Sequence, residues 1–180
     1  KVFALVGAEA VSGGYDSDDP DSYTEKIARA TSKVVHFFGS KLAAIEIVNN
    51  EPNDYHGGSG HLIGTDRLAM LVTRVSQEVG KRPAGRKLII VTPPIFGHDL
   101  YDNVWDDSGA HYLYDFIKAG FDNYGWTREN LPFKKIGYHP YVGQGSVDPE
   151  VVSNLMNLAL DDMKWVLDQF GIDCELSISE

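Results

Sequence analysis

Two glutamates follow strand-like runs at points where a carboxyl would stand above the end of a strand. Glu51 closes Ile45-Glu46-Ile47-Val48-Asn49-Asn50-Glu51-Pro52-Asn53, an apolar run that stops abruptly at Asn-Glu-Pro. Pro52 cannot donate to a sheet ladder and restricts the residue before it, so the strand must finish and leave Glu51 in the loop above it. Glu180 follows Leu176-Ser177-Ile178-Ser179, and His139-Pro140-Tyr141 closes a third run. Asn-Glu-Pro alone reads equally as an ordinary turn, because Asn, Pro and Asp are common turn formers. Two carboxyls brought together would do more. Repulsion between them raises one pKa, so one group stays protonated while the other is ionised, and a proton donor then faces an anion.

The elements that must position these groups alternate strand with helix. Val2-Phe3-Ala4-Leu5-Val6 opens the chain as a strand. Ser22-Tyr23-Thr24-Glu25 has the form of a capping box, and Tyr23, Ile27, Ala30, Val34 and Phe37 recur at helical spacing until Gly39. A strand from Leu42 to Val48 follows, then a helix from about Thr65 with Leu68, Val72, Val75 and Val79 on one face. Leu88 to Val91 reads as a third strand stopped by Pro93-Pro94. Ala110 to Tyr124 reads as a helix and Phe133 to Tyr138 as a fourth strand. Asp148-Pro149-Glu150 starts the clearest helix, which Gly171 ends, and Cys174 to Ser179 is the fifth strand. Such alternation implies an α/β fold with a parallel sheet, either open and doubly wound or closed as a barrel. Strand starts about 40 to 47 residues apart make a roomy version of the unit that builds an eight-stranded barrel. With no linker or composition shift, residues 1–180 read as one partial domain.

Composition narrows the partners. Sixteen basic against 26 acidic side chains leave a net charge of −10, which disfavours nucleic acid and anionic membranes. No segment is apolar and long enough to insert in a bilayer. The single cysteine, Cys174, excludes an internal disulfide and any cysteine-based metal site. His56 and His61 flank a Gly-rich loop near Asp54 without matching a zinc pattern, and Gly7 to Gly14 lacks a phosphate-loop lysine, so neither a metal nor another cofactor is expected.

The order and spacing of Asn50-Glu51-Pro52, Gly137-Tyr138-His139-Pro140-Tyr141 and the Ser179-Glu180 end resemble the clan A glycoside hydrolases, retaining enzymes on a parallel (β/α)8 TIM barrel. The resemblance covers the chain as strands three to seven, about five βα units. It implies Glu51 as acid/base, Glu180 as nucleophile, Asn50 as partner of the sugar 2-hydroxyl, and His139 and Tyr141 as active-site polar groups, Tyr141 near the nucleophile. Two differently protonated carboxyls are what a double displacement at a glycosidic bond requires. Trp105 and Trp126 could stack on sugar faces, although a tryptophan is more often a buried anchor. The implied partner is an oligo- or polysaccharide with β-linkages. The rest of the barrel is expected to be required, because five strands cannot close it. A secreted or extracellular location is expected, with the cytoplasm left open. The usual motif has an aromatic or Gly directly before Asn-Glu, where this chain has Val48-Asn49.

Two other readings compete. In an SGNH-type serine esterase, Ser12 would be the nucleophile and His139 the base. However, Ala8-Glu9 follows Gly7 where Asp-Ser is expected, and Ile136 occupies the position of the expected Asp. A catalytically silent carbohydrate-binding relative is the third reading.

Overall fold

In the computed structural model, residues 1–7, 10–11, 19–48, 52–53, 62–96, 109–140 and 148–178 are described. The elements run β1 (Val2–Val6), α1 (Pro20–Phe38), β2 (Leu42–Ile47), α2 (Thr65–Gly80), β3 (Ile89–Val91), β4 (Ile95–Phe96), α3 (Gly109–Asn123), β5 (Lys135–His139), α4 (Pro149–Phe170) and β6 (Glu175–Ile178). Local chemistry explains most boundaries. Asp148 caps α4 by accepting from the Glu150 amide at 2.9 Å, and Pro149 occupies the first turn, where its missing N–H costs nothing. Gly171, at φ 62°, ends α4 in the left-handed conformation that glycine adopts freely. The start of α1 departs from the capping-box expectation. Asp19 is its cap, accepting from the Ser22 amide, and Pro20 is its first residue. Glu25 instead pairs with Arg74 of α2 through both carboxylate oxygens, and that hydrogen-bonded guanidinium holds its carboxyl below the ordinary range.

All strand pairs among the described residues are parallel, and β1, β2, β3, β5 and β6 neighbour one another in chain order. The third expected strand is in fact two short pieces. β3 pairs with the start of β5 at Lys135, the chain steps past Pro93-Pro94, and β4 pairs with the end of β5 at Tyr138 and His139. Prolines end the first piece because they cannot donate to the ladder, but the chain keeps its direction and rejoins it. β5 itself starts two residues later than expected, because Phe133 packs against Phe116 and Trp126 beneath the helices.

Register assigns the two faces of the sheet, since paired residues in parallel strands share a face. Val6, Ile45, Ile47, Ile90, Ile95, Ile136 and Tyr138 pack into one continuous core with Ile27 of α1, Leu68 of α2, Leu113 of α3 and Met163 of α4. The helices neighbour one another in sequence order. Glu25 and Arg74 join α1 to α2, Asp66 of α2 accepts from Asn123 at 2.8 Å, and Phe170 of α4 contacts the rings of Tyr114 and Phe121 in α3. The opposite face carries Phe3, Leu5, Ala44, Glu46, Val91, Gly137 and His139. At its β1 edge Phe3 and Leu5 remain 46% and 49% exposed, an apolar surface that an isolated sheet would leave to water. No helix among the described residues is long and apolar enough to cross a membrane.

Candidate functional site

Because every pair is parallel, the C-terminal ends of the strands share one edge of the sheet, the edge on which parallel α/β folds place their chemistry. His139 is the last residue of β5, faces away from the helices beside Phe96, and is only 1% exposed. Two positions earlier on that face, Gly137 has no room for a side chain. A Cβ there would stand 2.6 Å from the Thr92 carbonyl oxygen and 2.9 Å from Pro94 Cα. The Gly137 amide donates to Thr92 Oγ1 at 3.0 Å, so this close approach locks the step between β3 and β4 against β5 and fixes the register of Phe96 with His139.

The end of β2 is built with equal constraint. Val48, the residue after the strand, has φ 55° and is the one non-glycine with positive φ among the described residues. A β-branched residue in the left-handed region costs about 1–3 kcal/mol and persists only where its surroundings over-determine it; here Val48 is buried in the core. Pro52 and Asn53 are each held by hydrogen bonds. The Pro52 carbonyl accepts from the Ile63 amide at 2.9 Å, and the Asn53 side chain both donates to the Phe96 carbonyl at 3.1 Å and accepts from the Phe96 amide at 2.8 Å.

Of the sequence-derived site residues, His139 and Trp126 lie within the described part of the chain. Asn50, Glu51, Trp105, Tyr141 and Glu180 lie outside it, as do Ser12, His56 and His61. His139 occupies a strand end, as expected. Trp126 departs from the sugar-stacking expectation. It is buried under the helix layer, its indole N–H donates to Thr73 Oγ1 at 2.8 Å, its ring meets Phe116 and Phe133 edge-on, and a Cβ at Gly120 would stand 2.0 Å from it. A tryptophan enclosed on every side has no face left for a sugar. Trp126→Ala is therefore expected to lower stability by about 3–5 kcal/mol, read as an earlier denaturant midpoint. Weakened binding of a glycan at an unchanged midpoint would restore the stacking role.

Two titratable groups, on β5 and at the opposite, N-terminal edge of the sheet, are shifted by burial. The Tyr138 phenol, pointing into the helix-side core, is pushed up to about 12, and the Cys174 thiol up to about 11, while its Sγ donates to the Lys134 carbonyl. Neither ionises near neutral pH, so neither offers a nucleophile. Among the described residues no group of three or more His, Cys, Asp or Glu side chains could hold a metal ion.

Sequence reasoning missed three contributors. Glu46 is fully buried on the His139 face of the sheet, engaged rather than isolated. Its signal was a lone carboxylate inside the apolar run Leu42–Ile47. Asn53 reads as one more turn former after proline, and Phe96 lies beyond a Pro-Pro that reads as a stop; only the tertiary pairing gives either a role. No family model, curated protein or solved structure matches the chain.

Proposed function

We propose that this chain supplies strands three to seven of a closed (β/α)8 barrel in a retaining hydrolase of β-linked glycans. Glu51 serves as acid/base, Glu180 as nucleophile, Asn50 as a partner of the sugar 2-hydroxyl, and His139 and Tyr141 as polar groups of the pocket. The observation that carries the reading is the strand order. Five successive parallel positions without a reversal, covered by helices in chain order on one face, fit a singly wound barrel. A doubly wound sheet reverses its order at a switch point, which is where its ligand binds. Barrel closure would also bury Phe3 and Leu5, which otherwise face water.

In this arrangement the C-terminal ends of β2, β5 and β6 share one rim; His139 is the last residue of β5, and Glu51, Tyr141 and Glu180 come soon after these ends in the sequence. Glu180 attacks the anomeric carbon while Glu51 protonates the departing glycosidic oxygen. In the second step Glu51, now a carboxylate, takes a proton from water, which displaces Glu180. For this geometry the two carboxyls must stand about 5 Å apart. The esterase alternative gains nothing from the fold: Ile136, at the position of the expected Asp, points into the helix-side core.

The deciding experiment is the anomeric configuration of the first-formed sugar. Full-length protein incubated with β-linked glycans in an NMR tube is expected to release the β-anomer before mutarotation. Release of the α-anomer would indicate inversion. Cleavage of acyl esters alone, lost in Ser12→Ala, would hand the site to the esterase, and binding without turnover would leave a silent lectin-like barrel.

A further inference from the structure

We infer that Asn53 is a positioning residue that sets the acid/base loop against the neighbouring strand end, an inference that rests on the glycosidase reading above. β2 ends at Ile47, yet β4 lies farther along the same rim, with its backbone at Phe96 turned toward the side that β2 no longer occupies. Asn53 takes the place of the missing strand. Its amide is only 3% exposed, and it answers both the N–H and the C=O of Phe96, as a peptide group of an adjacent strand would. Asparagine alone matches this demand without strain. Aspartate would set an oxygen against the Phe96 carbonyl, and alanine would remove both hydrogen bonds to Phe96.

The clasp has consequences on both sides. Phe96 is in register with His139, so the same two hydrogen bonds that hold Asn53 tie it to the strand end that carries His139. On the other side, Pro52 precedes Asn53 and is bonded through its carbonyl to Ile63, whose own carbonyl accepts from Tyr112 Oη of α3 at 2.5 Å. Glu51 lies two residues before Asn53, and Val48 is fixed on the other side of it in the left-handed conformation. Through these bonds Asn53 is held to the strand end of His139, and a shift of its backbone is passed along two peptide units to Glu51, its near neighbour in the sequence.

A displaced acid/base slows only the substrates that need its proton, whereas a general loss of folded protein slows all of them alike. The experiment therefore compares kcat/KM on alkyl β-glycosides, whose leaving groups require protonation, with kcat/KM on dinitrophenyl β-glycosides, whose leaving groups do not. It uses full-length wild type, Asn53→Ala, Asn53→Asp and Glu51→Ala. The fraction of folded enzyme cancels in the ratio of the two constants, so a partly unfolded variant remains informative. We expect the alkyl-to-aryl ratio to fall about 10- to 100-fold in Asn53→Ala, in line with the cost of a displacement of about 1 Å, and less in Asn53→Asp, which keeps the bond from the Phe96 amide. A ratio unchanged in both Asn53 variants while it collapses in Glu51→Ala would overturn the positioning role and leave the glycosidase reading standing. A ratio unchanged in Glu51→Ala would overturn both.

Discussion

Glu180→Gln in the full-length protein is expected to reduce turnover on the order of 10⁵-fold, and to do so for every glycoside regardless of its leaving group. Glutamine keeps the size and much of the hydrogen-bonding capacity of the carboxylate, so the loss comes from chemistry. The amide carbonyl is a poor nucleophile toward the anomeric carbon and cannot offset the positive charge that develops there. An activated aryl leaving group does not help, because the bond that fails to form is the one to the enzyme. Loss on this scale corresponds to about 7 kcal/mol of transition-state stabilisation, far beyond what a misplaced hydrogen bond removes. Steady-state kinetics on alkyl and dinitrophenyl glycosides, together with an unchanged circular dichroism spectrum, measure it. Retention of more than about a tenth of wild-type activity on either class would remove Glu180 from the mechanism.

How far the fold could be read in advance depended on whether a signal was local. The cap of α4 was legible because Asp148, Pro149 and Gly171 each act within a few residues of their own backbone. The cap of α1 was misplaced by three residues because Glu25, three after Ser22, satisfies the capping-box pattern while its carboxylate is committed to Arg74, 49 positions away. β4 was invisible for the same reason. Two residues after a Pro-Pro carry no strand signal, and their pairing exists only because Gly137 lets the Thr92–Pro94 backbone come close. Alternation of strand and helix implied a parallel sheet but could not decide between an open sheet and a barrel, since both have that pattern; the sequential order of neighbours is a tertiary fact. At the site, His139 was legible as a strand end. Trp126 carried both readings, because an aromatic just after a helix looks the same whether it anchors the helix or faces a ligand, and its burial against Phe116 and Phe133 gives it the anchoring role.

Glu51→Ala should separate the two halves of the reaction. Without a general acid, substrates with alkyl or sugar leaving groups lose about 10³-fold in kcat/KM, within the range that a positioned proton donor contributes. Dinitrophenyl glycosides leave as stable anions, so their first step should slow no more than about tenfold. Their second step still needs Glu51 to take a proton from water, and with the side chain truncated the glycosyl-enzyme should outlive its formation. Mixing the variant with a dinitrophenyl glycoside should then give a burst of phenolate equal to the enzyme concentration. A slow steady state should follow, with a low apparent KM, and an intact-mass increase of one glycosyl unit should appear on the protein. The burst matters because it reports both roles of one residue in a single trace: its fast phase needs no acid, and its slow phase lacks a base. Equal losses on both substrate classes, with no burst and no adduct, would mean that Glu51 delivers no proton and that the acid/base role belongs to another group.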